Sequence, residues 1–320
     1  MRSAAQEPGG FPSRNDSLQI QEAVASEIQR DHGDRPLTQG DHARIWRHDR
    51  LDGVELFQGS YKSYQFAKHF HRVPAFGVVD RGSMSSYCRH ENHVLGTGTV
   101  LLLNPGEIHA PAPADSPGWS FRMFYLEEAL FRSMSLNFSL QDLRFQQPFV
   151  QDSQLASSLF QLHLELEEAG DRLHFESVLL SIFSQLAERH SEALSPSSQL
   201  KPDKARIDVA REYLEANYDQ NLSLAELAAV SSLSASHFLR MFRDTVGLTP
   251  HAYLTQVRIE YATSLLRAGT PLVDVANRVG FTDQSHFTKK FKRIFGVTPG
   301  QYSATAKSIR QGMKSILLAS

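Results

Sequence analysis

Between Ile45 and Leu126 the apolar residues come in short runs, VELFQ, YKSYQF, AFGVV, SSYC, HVL, TVLLLN and WSFRMFYL. They are separated by Asp52-Gly53, Arg81-Gly82, Gly96-Thr97-Gly98 and Asn104-Pro105-Gly106. Runs of this length between turn residues predict the strands of a compact sandwich or barrel. After Pro148 the period changes to 3.6, with Leu155, Leu159, Leu162 and Leu166 on one face and then Phe175, Val178, Leu179, Ile182, Phe183 and Leu186 on another. This predicts two helices whose stripes either cover the β-rich segment or pair with a second subunit. Residues 191–202, SEALSPSSQLKP, have the composition of an interdomain linker. The first forty residues mix Gly, Pro, Ser and charge and read as a mobile arm, in which only Leu18 to Gln29 shows a helical pattern.

The chain then repeats itself. Residues 222–253 and 271–302 superimpose with a shift of 49 over their second halves. Ser236-His237-Phe238 recurs as Ser285-His286-Phe287, Phe242 as Phe291, Gly247 as Gly296, Thr249-Pro250 as Thr298-Pro299 and Tyr253 as Tyr302. Upstream, Leu227-Ala228 matches Val275-Ala276 at a shift of 48, so the second copy carries one more residue in its turn. Each copy reads as helix, turn, helix. Ser234 and Asp283 stand where N-caps belong, and Gly247 and Gly296 where a left-handed residue ends a helix. Ala228 and Ala276 let the two helices cross closely, and Phe238/Phe242 and Phe287/Phe291, four apart, supply the buried face. HAYLTQVRIEYATSLLRAG has the spacing of one connecting helix stopped at Gly269. Ser236, Arg240 and Arg243 share the outer side of the first second-helix, and Ser285, Lys289 and Lys292 the matching side of the other.

Composition adds polarity to this division. The chain is 41% hydrophobic and 21% charged, with net charge −2. Residues 1–200 carry 17 Lys/Arg against 25 Asp/Glu, and residues 201–320 carry 16 against 10, so the halves stand at −8 and +6. A basic module behind an acidic one suits a nucleic-acid partner for the repeat. Basic residues recurring in the same slot of two such units favour DNA reading over an ordinary solvated helix face. In that reading Arg or Lys reaches guanine O6 and N7 in the major groove while others neutralise phosphate. Cys88 is the only cysteine, which excludes an intrachain disulfide framework and a multi-cysteine zinc site. No run approaches the ~20 apolar residues of a membrane span and the N-terminus lacks a secretory pattern, so a cytoplasmic protein with no membrane partner is expected.

Residues 203–306, about a third of the chain, resemble the DNA-binding domain of the AraC/XylS family of bacterial transcription regulators. The segment GFTDQSHFTKKFKRIFGVTPGQY closely follows that family's signature. The resemblance implies base-reaching positions at Ser236, Leu239 and Arg240 in the first unit and at Ser285, His286 and Lys289 in the second. Leu239 is apolar and fits a thymine methyl. It further implies double-stranded promoter or operator DNA, RNA polymerase and a small-molecule effector as partners, with a possible homodimer. Two differing faces in one chain predict an asymmetric site spanning two major-groove segments about one helical turn apart.

The β-rich half resembles the cupin-like effector-binding domain of the same family, through His69-Phe70-His71, Gly82 and Asn104-Pro105-Gly106-Glu107-Ile108-His109. On a strand, HxH puts both imidazoles on one face. The resemblance makes His69, His71, Glu107 and His109 the candidate effector-binding residues of a pocket. The alternative is a divalent metal, iron, manganese or nickel, on the three histidines and Glu107, in a cupin-type metal-dependent enzyme fused to a DNA-binding module. The enzymatic motif places Glu four residues after the second His, where this chain has Ala75, so the expectation is no metal, no cofactor and no catalytic residue. Phe57, Phe76, Trp119, Phe121 and Phe124 read as barrel core, with one or two lining the pocket.

The expected fold is α+β: an N-terminal cupin-like β-barrel with a helical pair and a C-terminal all-α double helix-turn-helix domain. The expected boundaries are an arm at 1–40, the effector domain at 41–147, and the helical pair and possible dimerisation element at 148–190. A linker at 191–202, the DNA-binding domain at 203–306 and a tail at 307–320 complete it.

Overall fold

Alternation with period two builds the N-terminal half. In β5 (Thr99–Leu103) every residue is buried, because Leu101 and Leu103 face inward while Val100 and Leu102 face a layer of helices. The structure, a computed structural model, describes residues 41–48, 51–114, 118–137, 143–168, 171–193 and 202–304. The expected arm at 1–40, residues 194–201 of the expected linker and the tail at 307–320 lie outside the described residues.

The other strands are β1 (His42–Arg47), β2 (Val54–Tyr61), β3 (Ala75–Cys88), β4 (Glu91–Gly96), β6 (His109–Pro113), β7 (Trp119–Leu126), β8 (Leu143–Phe145), β9 (Phe149–Gln151) and β10 (Ser191–Ala193). They pair antiparallel in the order β1-β2-β7-β3-β5-β9, with β4 and β6 also on β3. β3 serves two surfaces: its first part pairs with β7 and β5, its last part with β4 and β6. The register slips between Val79 and Arg81, and Gly82 takes φ 72°. The break expected at Arg81-Gly82 is thus a bulge that bends one long strand around the interior. Of YKSYQF only Tyr61 lies in a strand, and Ser191–Ala193, expected to open the linker, pairs with β8.

Three helices cover the outer face: α1 (Glu128–Asn137), α2 (Ser153–Glu165) and α3 (Arg172–His190). Asp152 and Asp171 cap the latter two. Both expected stripes are consumed here, since Leu155, Leu159, Leu162, Phe175, Leu179, Ile182, Phe183 and Leu186 pack with Leu56, Phe76, Val78, Phe124 and Leu126. Each such side chain, fully buried, contributes about 1.5–3 kcal/mol. The stripes therefore belong to this domain's core, and a second subunit would meet other surfaces of the pair.

The C-terminal half consists of α4 (Pro202–Ala216), α5 (Leu224–Val230), α6 (Ala235–Val246), α7 (Pro250–Arg267), α8 (Leu272–Arg278), α9 (Gln284–Phe295) and a last helical stretch at 299–304. Ser223 and Glu226 form a capping box on α5; the Ser234 and Asp283 side chains accept the N–H groups of His237 and His286. Gly247 and Gly296 close α6 and α9 at φ 83° and 72°. Phe238, Phe242, Phe287 and Phe291 are fully buried. The turns run over residues 231–234 and 279–283, which locates the extra residue of the second copy. Both turns use a left-handed residue at the same place, Ser232 (φ 54°) and Gly280 (φ 80°). The added residue follows Phe281.

Candidate effector cavity and DNA-reading faces

The inward face of the β structure encloses a cavity lined by Phe57, Phe66, Met84, Leu101, Leu103, Phe121, Met123, Tyr125 and Phe149. Two of the aromatics expected as core, Phe57 and Phe121, are among its walls. One corner is polar, because His69, His71 and His109 meet there, all buried. The His69-Phe70-His71 segment is not a continuous strand; His69 forms a single antiparallel bridge with His109. The His69 N–H donates to the His109 carbonyl at 3.0 Å and the His109 N–H to the His69 carbonyl at 2.9 Å. That bridge brings together two segments forty residues apart. Ring centroids are 4.2 Å apart for His69–His109, 5.1 Å for His69–His71 and 5.2 Å for His71–His109. Nδ1 of His69 lies 2.8 Å from the Ala67 carbonyl and Nδ1 of His109 lies 3.0 Å from the Glu107 carbonyl. A carbonyl only accepts, so both rings carry their proton on Nδ1 and present an unprotonated Nε2. Burial lowers the pKa of all three, with neighbouring imidazoles adding to the effect at His69 and His71, so the cluster is neutral.

Glu107 does not join this cluster. Its carboxylate pairs with Arg89 and accepts the Asn104 N–H at 3.0 Å, so it faces a polar groove with Arg144 and Gln146. Glu107 precedes β6, in the turn that follows Asn104. Glu107 positions the turn and, through its carbonyl, the His109 ring.

On the C-terminal half Ser236, Arg240 and Arg243 of α6 are exposed and Leu239 is half-buried. On α9 Ser285, His286 and Lys289 are exposed, whereas Lys292, the counterpart of Arg243, is half-buried. The ring of His286 packs edge-on against Phe281 at 5.4 Å, and burial with nearby Lys290 lowers its pKa. Spacings of four and seven residues hold the polar and basic residues of each helix on one side, away from the buried phenylalanines.

Two family models match the chain: an AraC-like ligand binding domain over residues 53–183 and a helix-turn-helix domain over residues 227–305. An HTH-type transcriptional regulator of Bacillus subtilis, YbfI, is 30% identical over 235 residues, covering 73% of this chain and 85% of that protein. The transcriptional activator RhaS of Citrobacter koseri is 26% identical over 267 residues, 79% of this chain and 90% of that one. Unsaturated fatty acid-bound ToxT of Vibrio cholerae superimposes with a TM-score of 0.49 at 15% identity, over 84% of this chain and 96% of that one. The chain belongs to the AraC family of transcription regulators. It is a DNA-binding regulator with an effector-binding N-terminal domain. Among the described residues, no helix is long and apolar enough to cross a membrane.

In this AraC-family regulator the cavity is closed by the DNA-binding half: Ile294 and Phe295, from the last turn of α9, complete its lining. The sensor also terminates that helix. Tyr64 Oη donates at 2.8 Å to the Lys292 carbonyl, which also accepts the Gly296 N–H, and the Ala67 N–H donates at 3.3 Å to the Arg293 carbonyl in the last turn. The connector α7 makes further contacts. Gln256 Nε2 donates to the Phe70 carbonyl at 2.9 Å, and Glu260 Oε1 lies 3.9 Å from His71 Nδ1. Burial pushes the Glu260 carboxyl up to about 8. Tyr302 Oη donates to Glu55 at 2.9 Å, beside Arg47 and Arg267. None of these roof and connector residues stands out in the sequence, where Ile294, Phe295 and Glu260 read as ordinary helix positions.

Proposed function

We propose that this AraC-family regulator reads an asymmetric DNA site with two unequal helices and that an effector in the cavity acts directly on the second of them. Ser236, Leu239 and Arg240 address one major-groove segment and Ser285, His286 and Lys289 the next, with Arg243 and Lys292 toward phosphate. The observation that carries the coupling is the roof. With Ile294 and Phe295 in place, the free volume of the cavity is about 30 Å³, room for no more than a couple of waters. A larger effector therefore has to displace part of the wall, and in this reading the part displaced is the end of α9, which gives the effector different affinity for two arrangements of the second unit, as coupling requires. The lining selects an effector with an apolar body and a polar end directed at His69, His71 and His109. The regulatory reading assigns the chain no chemical turnover; its partners are operator DNA, the effector and RNA polymerase, and its modules follow the boundaries at residues 41, 148 and 203, with Ser191–Ala193 kept on the sensor side by its pairing with β8.

The test is enrichment of genomic fragments by the full chain. The expected product is a motif with two dissimilar elements about one helical turn apart. Enrichment of a single element, or of none, overturns the reading.

A further inference from the structure

The polar corner of the cavity differs from a buried histidine that serves the core. His163 shows what the latter looks like in this fold: Nδ1 accepts from Arg122 Nη1 at 3.0 Å and Nε2 donates to the Phe57 carbonyl at 3.1 Å, so both nitrogens have protein partners. In the corner, Nδ1 of His69 and of His109 is held by a backbone carbonyl, and among the described residues no hydrogen-bond partner serves either Nε2. One ligand atom from each of His69, His71 and His109 lies within 4.8 Å of the others, inside a cavity whose remaining walls are apolar apart from Ser86 and Tyr125. Acceptor nitrogens gathered this closely in a largely apolar pocket are costly unless something positive satisfies them. Backbone carbonyls on the outer nitrogens are the arrangement that orients imidazoles toward a metal. His71 has a half-buried carboxylate, Glu260, on its Nδ1 side, 3.9 Å away.

We propose that His69, His71 and His109 bind one divalent first-row transition-metal ion, with an open coordination position toward the cavity. The donor set is three neutral imidazoles and suits zinc, iron, cobalt or nickel over magnesium or calcium. No carboxylate completes it, since Ala75 has none and Glu107 is engaged by Arg89. The open position faces the space where the polar end of an effector would sit, and an oxygen donor there would bind the ion directly. That last role rests on the sensor reading of the cavity; the binding of the ion does not.

The experiment titrates the untagged full chain, stripped with a chelator, with Co²⁺ and separately with Zn²⁺. The expected result is one equivalent bound, visible ligand-field bands of a nitrogen-rich four-coordinate Co²⁺ site, and a higher thermal midpoint in excess metal. His71→Ala and His109→Gln each abolish the one-equivalent step, while a His90→Ala/His93→Ala control outside the cluster retains it. Absence of stoichiometric binding by the wild-type chain overturns the proposal without any variant having to fold. Undiminished binding by a folded His71→Ala variant, judged by its unfolding transition, does the same. DNA enrichment by the metal-free chain is scored separately, so loss of the metal site leaves the two-element DNA reading to its own test.

Discussion

The two helix-turn-helix units share a framework and differ in what stands behind it. The first encloses its own core, in which Phe238, Phe242, Leu227 and Ala228 meet Ile207, Ala210 and Leu214 of α4 and Val257 of α7, with Phe70 as the buried sensor residue. In the second, Phe287, Phe291, Val275, Ala276 and Ile294 belong to one continuous cluster with Tyr61, Tyr64, Phe66 and Phe121 of the sensor. The C-cap glycines show the difference most directly. A methyl group at Gly247 would meet only Ile108 Cδ1, at 3.4 Å, whereas one at Gly296 would lie 2.7 Å from Tyr61 Oη and 3.1 Å from the Phe66 ring. Duplication therefore produced equivalent folds in unequal positions. Only the second unit is seated in the wall of the effector cavity.

The largest expected effects test the equality of the frameworks. Phe242→Ala and Phe291→Ala should each lower stability by about 3–5 kcal/mol, through lost packing and a cavity that collapses incompletely. Urea unfolding of the full chain checks this. Similar losses support equivalent frameworks, and a near-neutral result at either position contradicts its burial. The glycines test the inequality. Alanine in a left-handed conformation costs ~1–2 kcal/mol at either position, but at Gly296 overpacking against Tyr61 and Phe66 should add ~1–3 kcal/mol. Gly296→Ala should then be clearly the more destabilising of the pair. Equal losses would mean that the second unit does not depend on its seat.

On the reading faces, Arg240→Ala and Lys289→Ala should each weaken specific DNA binding by ~1–3 kcal/mol and relax preference at one base, each in a different element of the site. Fluorescence anisotropy with site variants resolves the two elements. If both substitutions relax the same element, the helices do not read separate groove segments.

The parts legible in the sequence are those fixed by local chemistry. Ser234, Asp283, Gly247 and Gly296 announce helix ends because capping depends on one residue's side chain or backbone freedom. The extra residue of the second turn is visible as a change of shift. The three histidines were legible from spacing, although the bridge that gathers them joins residues far apart in the chain. Glu107 entered with the motif that ends at His109, and the turn sends its carboxylate to Arg89 and Asn104 instead; Gly82 was taken as a break because a glycine inside a strand can mark a bulge as well as an end. The roof was not legible at all. Ile294 and Phe295 satisfy the same apolar spacing whether they face their own domain or another, and only the docking of the halves decides which.

The smallest effect concerns the contact that sets the second unit apart. Tyr64→Phe removes the hydroxyl that donates to the Lys292 carbonyl while leaving the ring stacked on Tyr61 at 5.2 Å. That carbonyl still accepts the Gly296 N–H, so the substitution leaves no orphaned group at the helix end. The expected loss is about 0.5–1.5 kcal/mol, the net worth of one hydrogen bond. Because the bond joins sensor to α9, its loss should change affinity for sites altered in the second element and leave discrimination at the first unchanged. Anisotropy on the two sets of site variants, alongside wild type, distinguishes the outcomes. A change confined to the second element places the sensor's grip on α9 alone; an equal change at both elements would show that the grip is transmitted through α7 to the whole DNA-binding half.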